Sequence, residues 1–346
     1  MNENSLIKDI GRSYIVSSVL PAGLFIALGV IFYQDFIFSS IINEATISNL
    51  SVGLVVFLLT VAIMWIGFAL FSMVNWTVRL YEGYYLPGPL SGLLLFLFYR
   101  RAHRRKTKNI QKVIKANREF PPDRQETIAK YYDQAWADYG DVELSVPIRE
   151  EDLLPSKLGN VLRASEQYSA KYGLTAGINL WTRLAVLLPP EMANSLEEKN
   201  NNMMFLLNSS LLAYAHGLIA IVISIAHYST KSRDIFMNHL VLAAVCFFAG
   251  YSLYIMSVPV AKTMGLLIRS SFDLYRFDLL EQLNYSIPTT LSQERKLWLK
   301  VSDFIVTAGN LGWLPLEFEY NLHHKYLPEH PRNKKSSSKS SKVKKI

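Results

Sequence analysis

The chain holds a single cysteine, Cys246, among 346 residues. One thiol excludes an intrachain disulfide framework and a Cys-rich zinc site. Signatures of common enzymes are missing as well. There is no Walker or Rossmann glycine pattern, no His-Glu-x-x-His and no Gly-x-Ser-x-Gly. The seven histidines are scattered, and the adjacent His323 and His324 point apart on any regular element and lack metal-binding partners. No enzyme activity, cofactor or metal is therefore expected. The scarcity that organises the rest is that of charge. Asp, Glu, Lys and Arg are 18% of the residues, yet four long apolar runs contain none of them.

Those runs cover 14–33, 52–74, 204–226 and 236–260. About 20 apolar residues suffice to cross a hydrocarbon core of about 30 Å. The first run is long for a signal peptide and no small-residue cleavage site follows it, so it reads as a retained helix, kinked at Pro21. Trp76 just beyond the second run suits an interfacial aromatic. The third and fourth runs carry small and polar residues, among them Asn208, Ser209, Ser210, His216, Ser224, Gly250, Ser252 and Ser257. Such residues let helices approach closely and bond across the gap. The sequence thus predicts an all-α integral membrane protein: two transmembrane helical hairpins, a mainly helical cytosolic domain between them, and a C-terminal helical extension.

The net charge is +8. In a soluble protein this would suggest nucleic acid. In a membrane protein it reflects cytoplasmic loops facing anionic lipid, and no nucleic-acid partner is expected. The 34–51 loop has no Lys or Arg, whereas Arg100, Arg101, Arg104, Arg105, Lys106 and Lys108 cluster after the second hairpin arm. The positive-inside rule then puts both termini and the central segment in the cytoplasm. The cell inner (plasma) membrane is the expected location. The six basic residues are candidates for anionic-lipid contact. The expected units are an N-terminal hairpin (1–80), a basic interfacial and helical domain (81–203), a second hairpin (204–262), a helical extension (263–330) and a disordered Lys/Ser tail (331–346).

Within the central unit, 90–99 is too short to span and reads either as an interfacial segment or as a buried soluble helix. Helices are expected over 103–119, from Asp123 to Gly140, over 157–172 and over 179–188, and a short strand over 142–148. The helix opening at Glu191 should run into the third span, and the fourth should continue through 262–284. A last helix covers 292–307. Asn160, Arg163 and Glu166 share roughly one face, and Arg269, Asp273 and Arg276 form i,i+4 and i,i+3 pairs.

Several stretches carry a resemblance: LPSKLGNVLRASEQYSAKYG at 154–173, LWTRLAVLLPPE at 180–191, and RSSFDLYRFDLLEQL at 269–283 with ERKLW at 294–298. They resemble a family of uncharacterised bacterial four-span membrane proteins that has proline where this sequence has Thr182. The resemblance implies a bacterial origin and the order two spans, cytosolic segment, two spans, helical end. It implies no catalytic residues.

Two functions remain open at this stage. One is a homo-oligomeric channel or pore with a cytosolic assembly and gating domain, with Asn208, Ser209, His216 and Ser252 as pore or interhelical candidates. The other is a membrane-anchored scaffold or sensor whose cytosolic domain binds a protein partner or anionic lipid. The absence of acidic residues from the runs argues against an ion-coupled transporter.

Overall fold

The computed structural model describes residues 11–36, 52–100, 103–104, 107–108, 144–147, 149–175, 177–228, 233–307 and 318. All regular structure among them is helical, and there is no strand. Four helices are long and apolar enough to cross a membrane: Gly11–Tyr33, Gly53–Ser72, Pro190–Ala226 and Phe236–Gln282.

The first opens with an α-helical turn over 11–14, passes through a π-helical turn, Ile15–Val19, and continues as α1 (Leu20–Phe36). Pro21 explains the local geometry. It has no N–H to give the Ser17 carbonyl four residues back, and Leu20 N–H reaches Ile15 O instead. The proline at which a kink is expected thus directly follows a wide turn. α2 (Val52–Ser72) follows, then α3 (Val74–Glu82) after a break at Met73. α3 stops at Gly83, whose φ of 93° suits glycine and whose N–H closes on Arg79 O and Leu80 O. α4 (Gly88–Leu94) opens on a proline and runs into a second π turn, Leu95–Arg100. Leu90, Leu93, Phe96 and Leu97 on it are exposed, which favours the interfacial reading of this stretch over a buried soluble helix.

α5 (Lys157–Glu166) starts at Ser156, whose Oγ accepts the Gly159 N–H at 2.9 Å. The single helix expected over 157–172 is in fact two pieces. α5 ends at Glu166 and a 3₁₀ turn, Tyr168–Tyr172, follows to Gly173 at φ 93°. The chain returns over the break: Gly177 lies so close to the Glu166 carbonyl that a Cβ there would sit 2.7 Å from the oxygen. The strand expected over 142–148 is not formed by its described residues. Leu144 and Ser145 make a helical turn, and Pro147 offers no N–H to a ladder. The helices expected at 103–119 and from Asp123 to Gly140 lie almost wholly outside the described residues.

α6 (Gly177–Ala185), α7 (Pro190–Tyr228), α8 (Arg233–Gln282) and α9 (Leu291–Thr307) complete the chain order. α7 and α8 lie side by side in antiparallel order. Ser224 Oγ donates to Phe236 O at 2.9 Å, Ser210 Oγ to Gly250 O at 2.7 Å, and near the polar ends Ser271 Oγ approaches Met192 Sδ at 3.7 Å. Glycine permits this approach: a Cβ on Gly250 would lie 2.9 Å from the Tyr214 ring.

Three apolar cores stack along the two long helices. Tyr33, Ala220, Ile223 and Ala243 join the first helix to α7 and α8. Leu158, Val161, Met204, Leu207 and Ala261 seat α5 on them. Leu180, Leu184, Phe272, Leu280 and Trp298 tie α6 and α9 to the far end of α8. The outward faces of the membrane-length helices are apolar too. Trp65 is 70% exposed and Phe248 73%. Water would penalise such faces, whereas lipid does not.

Candidate functional site

The sequence candidates fall into two groups. Asn208 and His216 line the seam between α7 and the first helix. Asn208 Nδ2 donates to Ser17 O at 2.7 Å, replacing the donor that Pro21 lacks. His216 Nε2 pairs with Phe25 O at 3.1 Å, and its ring lies among Phe25, Phe32 and Tyr33. Tyr33 returns a bond, its hydroxyl donating to His216 O at 2.8 Å. His216 Nδ1, Asn208 Oδ1 and Ser209 Oγ are buried without a hydrogen-bond partner among the described residues. Ser252 stands apart and donates to Phe248 O of its own helix at 2.8 Å. The structure therefore brings Asn208 and His216 to one seam, sets Ser209 beside them, and does not join Ser252 to them.

Of the basic cluster, Arg100, Arg104 and Lys108 are described, while Arg101, Arg105 and Lys106 lie outside the described residues. Arg104 grips Glu150 with Nε and an end nitrogen, at 3.0 and 2.8 Å. Arg100 stands 4.0 Å from the same carboxylate. The hydrogen bond from Arg104 holds the Glu150 carboxyl below its ordinary range. His103 is buried and its Nε2 meets Pro147 O at 3.1 Å. Lys108 is exposed. Two of the described cations thus fasten the post-α4 segment to the 149–152 turn.

The densest polar geometry is where the membrane-length helices meet the polar lobe. Tyr81 of α3 stacks on Tyr254 of α8 with centroids 5.6 Å apart, and its hydroxyl donates to Ser210 Oγ at 2.7 Å. The Tyr254 oxygen accepts the Lys157 N–H at 3.1 Å, so α5 starts directly on the membrane-length helix. Asn160 fixes the approach: its Oδ1 accepts Leu154 N–H and its Nδ2 donates to Leu154 O, both at 2.8 Å. α5 then crosses α8 where Gly265 leaves no room for a Cβ beside Ser165.

Above this crossing, Glu82 is only 8% exposed. Burial, with Glu166 close by, pushes its carboxyl up to about 7 against the pull of Arg163 and Arg79. Glu166 is raised too, by burial, although Arg163 NH1 lies 3.3 Å from it. Further out, Asp273 accepts the hydroxyls of Tyr168 and Tyr172, each at 2.6 Å, and Lys171 stands 3.2 Å away. Burial works against ionisation of Asp273, but these bonds prevail and hold its carboxyl low. Arg276 crosses to Glu294 of α9 at 2.7 Å while its guanidinium lies 4.1 Å over the Tyr172 ring.

No family model, curated protein or solved structure matches the chain.

Geometry alone therefore defines what the junction can do. No group of three or more metal-ligating side chains exists among the described residues. What the junction offers is a carboxyl poised near neutrality beside a guanidinium and a second carboxyl, and a network joining α5, the 3₁₀ turn, α8 and α9. Sequence reading found the Arg163–Glu166 pair. It assigned Arg269, Asp273 and Arg276 to one another along α8. In the structure Arg269 donates to Ala164 O at 3.0 Å, and Asp273 and Arg276 turn to the 3₁₀ turn and α9, although an Arg276 end nitrogen also reaches the Asp273 carbonyl. Glu82, Tyr254 and the two tyrosines were missed. Their one local signal was two buried-type tyrosines four apart before a glycine.

Proposed function

We propose that the chain is a multi-pass membrane protein of two helical hairpins, with both termini and the polar lobe in the cytoplasm, acting as a membrane-anchored scaffold or sensor. Its lobe would present a surface to a protein partner or to anionic lipid. One observation carries this reading. α7 and α8 run unbroken from their apolar parts into the lobe, and Asn208, Ser210 and His216, buried between them and the first helix, each make a hydrogen bond to backbone within the chain. Outward faces are apolar, as an anchor requires. The 34–51 loop without Lys or Arg and the basic residues after α4 support the orientation. The resemblance to bacterial four-span proteins supports an inner membrane as the setting.

A homo-oligomeric channel is the second reading. The broad apolar faces of α2 and of the first helix favour it, since they leave area for contacts between copies. It requires the pore to form between subunits, because Asn208 and His216 face the interior of one chain.

Two measurements on the full chain separate the readings. Affinity capture from solubilised membranes should retain a specific protein, lost when the exposed Lys108 is reversed to Glu. Planar-bilayer recording should stay silent. Discrete currents absent from a truncation lacking α7 and α8 would replace the scaffold by the channel.

A further inference from the structure

We propose that the cavity between the start of the first membrane-length helix and the polar end of α7 binds a phosphoethanolamine group, the headgroup of an aminophospholipid. The inference rests on the reading that these helices cross a membrane. The cavity is about 200 Å³ and is lined by Arg12, Val16, Asn194, Glu197, Glu198 and Asn201, among others. That is below the ~300 Å³ at which drug-sized ligand sites begin, so it suits a headgroup and not a whole lipid.

Its depth fits. Arg12 is the last charge before the apolar part of the first helix, and Asn201 and Asn202 precede the apolar part of α7 at Met203. The cavity therefore lies at the polar boundary of both helices. Ile15 and Leu20, 51% and 50% exposed, continue from it as an apolar outer surface on which acyl chains can lie.

Its chemistry fits a zwitterion with a hydrogen-bonding cation. Arg12 supplies a guanidinium for a phosphate. Glu197 and Glu198 supply carboxylates for an ammonium. Ser13 Oγ donates to Glu197 at 2.6 Å and Asn201 Nδ2 donates to Ser13 Oγ at 2.8 Å, which pins one wall while leaving the second Glu197 oxygen available. Glu198 is partnered by Lys199 at 2.9 Å. Lys199 offsets the Glu198 carboxylate, so Arg12 and Lys199 together balance Glu197 and Glu198, and a near-neutral site suits a zwitterion over a purely anionic headgroup. A trimethylammonium has no N–H to give these acceptors, so a choline headgroup should be rejected.

The test uses the full chain in nanodiscs of equal phosphatidylethanolamine, phosphatidylcholine and phosphatidylglycerol, with retained lipids identified by native mass spectrometry. The expected result is selective retention of phosphatidylethanolamine. Arg12→Ala and Glu198→Gln should each lower its ratio to phosphatidylcholine by roughly tenfold, the equivalent of one charge-assisted hydrogen bond. Both side chains are at the surface, and unchanged thermal unfolding verifies that each variant is folded. Millimolar glycerophosphoethanolamine should displace the lipid, as headgroup recognition requires, and failure to displace it would overturn the proposal. Lipid ratios equal to the bulk, enrichment of phosphatidylglycerol, or ratios unmoved by both variants would overturn the proposal. Alkaline carbonate extraction of cell membranes reads the membrane setting separately: release of the chain would overturn that reading itself.

Discussion

Glu82 shows how one buried group can set a pH dependence. Its folded pKa of about 7 lies above its ordinary value, so the folded state binds the extra proton. Stability is therefore greatest below about pH 4.5 on this account and falls as pH rises to about 7. Glu82→Gln should flatten that slope and be more stable than the parent above pH 7, by on the order of 1 kcal/mol. Thermal unfolding in detergent from pH 5 to pH 8 checks it. Asp273 has the opposite sign. Its carboxyl is held low, so its contribution is present above the ordinary carboxylate range and lost in acid. Asp273→Asn should cost about 1–2 kcal/mol at neutral pH, through its two tyrosine bonds. Pro21 and Asn208 make a third residue-scale case. Asn208→Leu should destabilise by about 1 kcal/mol because it orphans the Ser17 carbonyl. In a Pro21→Ala background, where residue 21 regains its N–H, the same change should cost less. A double-mutant cycle measures that difference.

At the scale of elements, the membrane-length helices were legible because their evidence is local: unbroken apolar runs of sufficient length. The last helix was legible for a similar reason, its start at Leu291 differing from expectation by a single residue. The break after Glu166 was not. Nothing between 157 and 172 forbids a helix, and the tight contact at the break comes from Gly177, beyond that stretch. Likewise the i,i+4 spacing of Arg269 and Asp273 suggested a pair along α8, but it gave no sign of the long-range tyrosines that donate to the Asp273 carboxylate. Of the site, the Arg163–Glu166 pair was readable from spacing, while Glu82 was not, because its burial is made by α5 closing over α3. The α5–α8 crossing yields a sharp expectation. Gly265→Ala places a methyl against Ser165 and should cost about 1–3 kcal/mol. Ser165→Ala should restore part of the loss. Unfolding midpoints of the single and double variants give the answer.

For the whole molecule, the proposed orientation puts Lys300, exposed on α9, on the cytoplasmic side. The single native thiol makes this simple to examine. In a Cys246→Ser background, Lys300→Cys should resist an impermeant maleimide in intact cells and react once the membrane is opened. Labelling of intact cells would invert the topology.

The unbroken length of α8 has a mechanical consequence. Its 50 residues make a rod about 75 Å long with Pro259 inside it, a natural hinge, and the stretch beyond Val260 is about 33 Å. Helices answer a change in bilayer thickness by tilting. A tilt of about 5° pivoting near Val260 would carry the far end of the rod sideways by about 3 Å. That displacement is comparable with a hydrogen-bond length, and α9 and the tyrosine turn are fastened to this moving end. Membrane thickness would thus be written into the position of groups that never touch lipid.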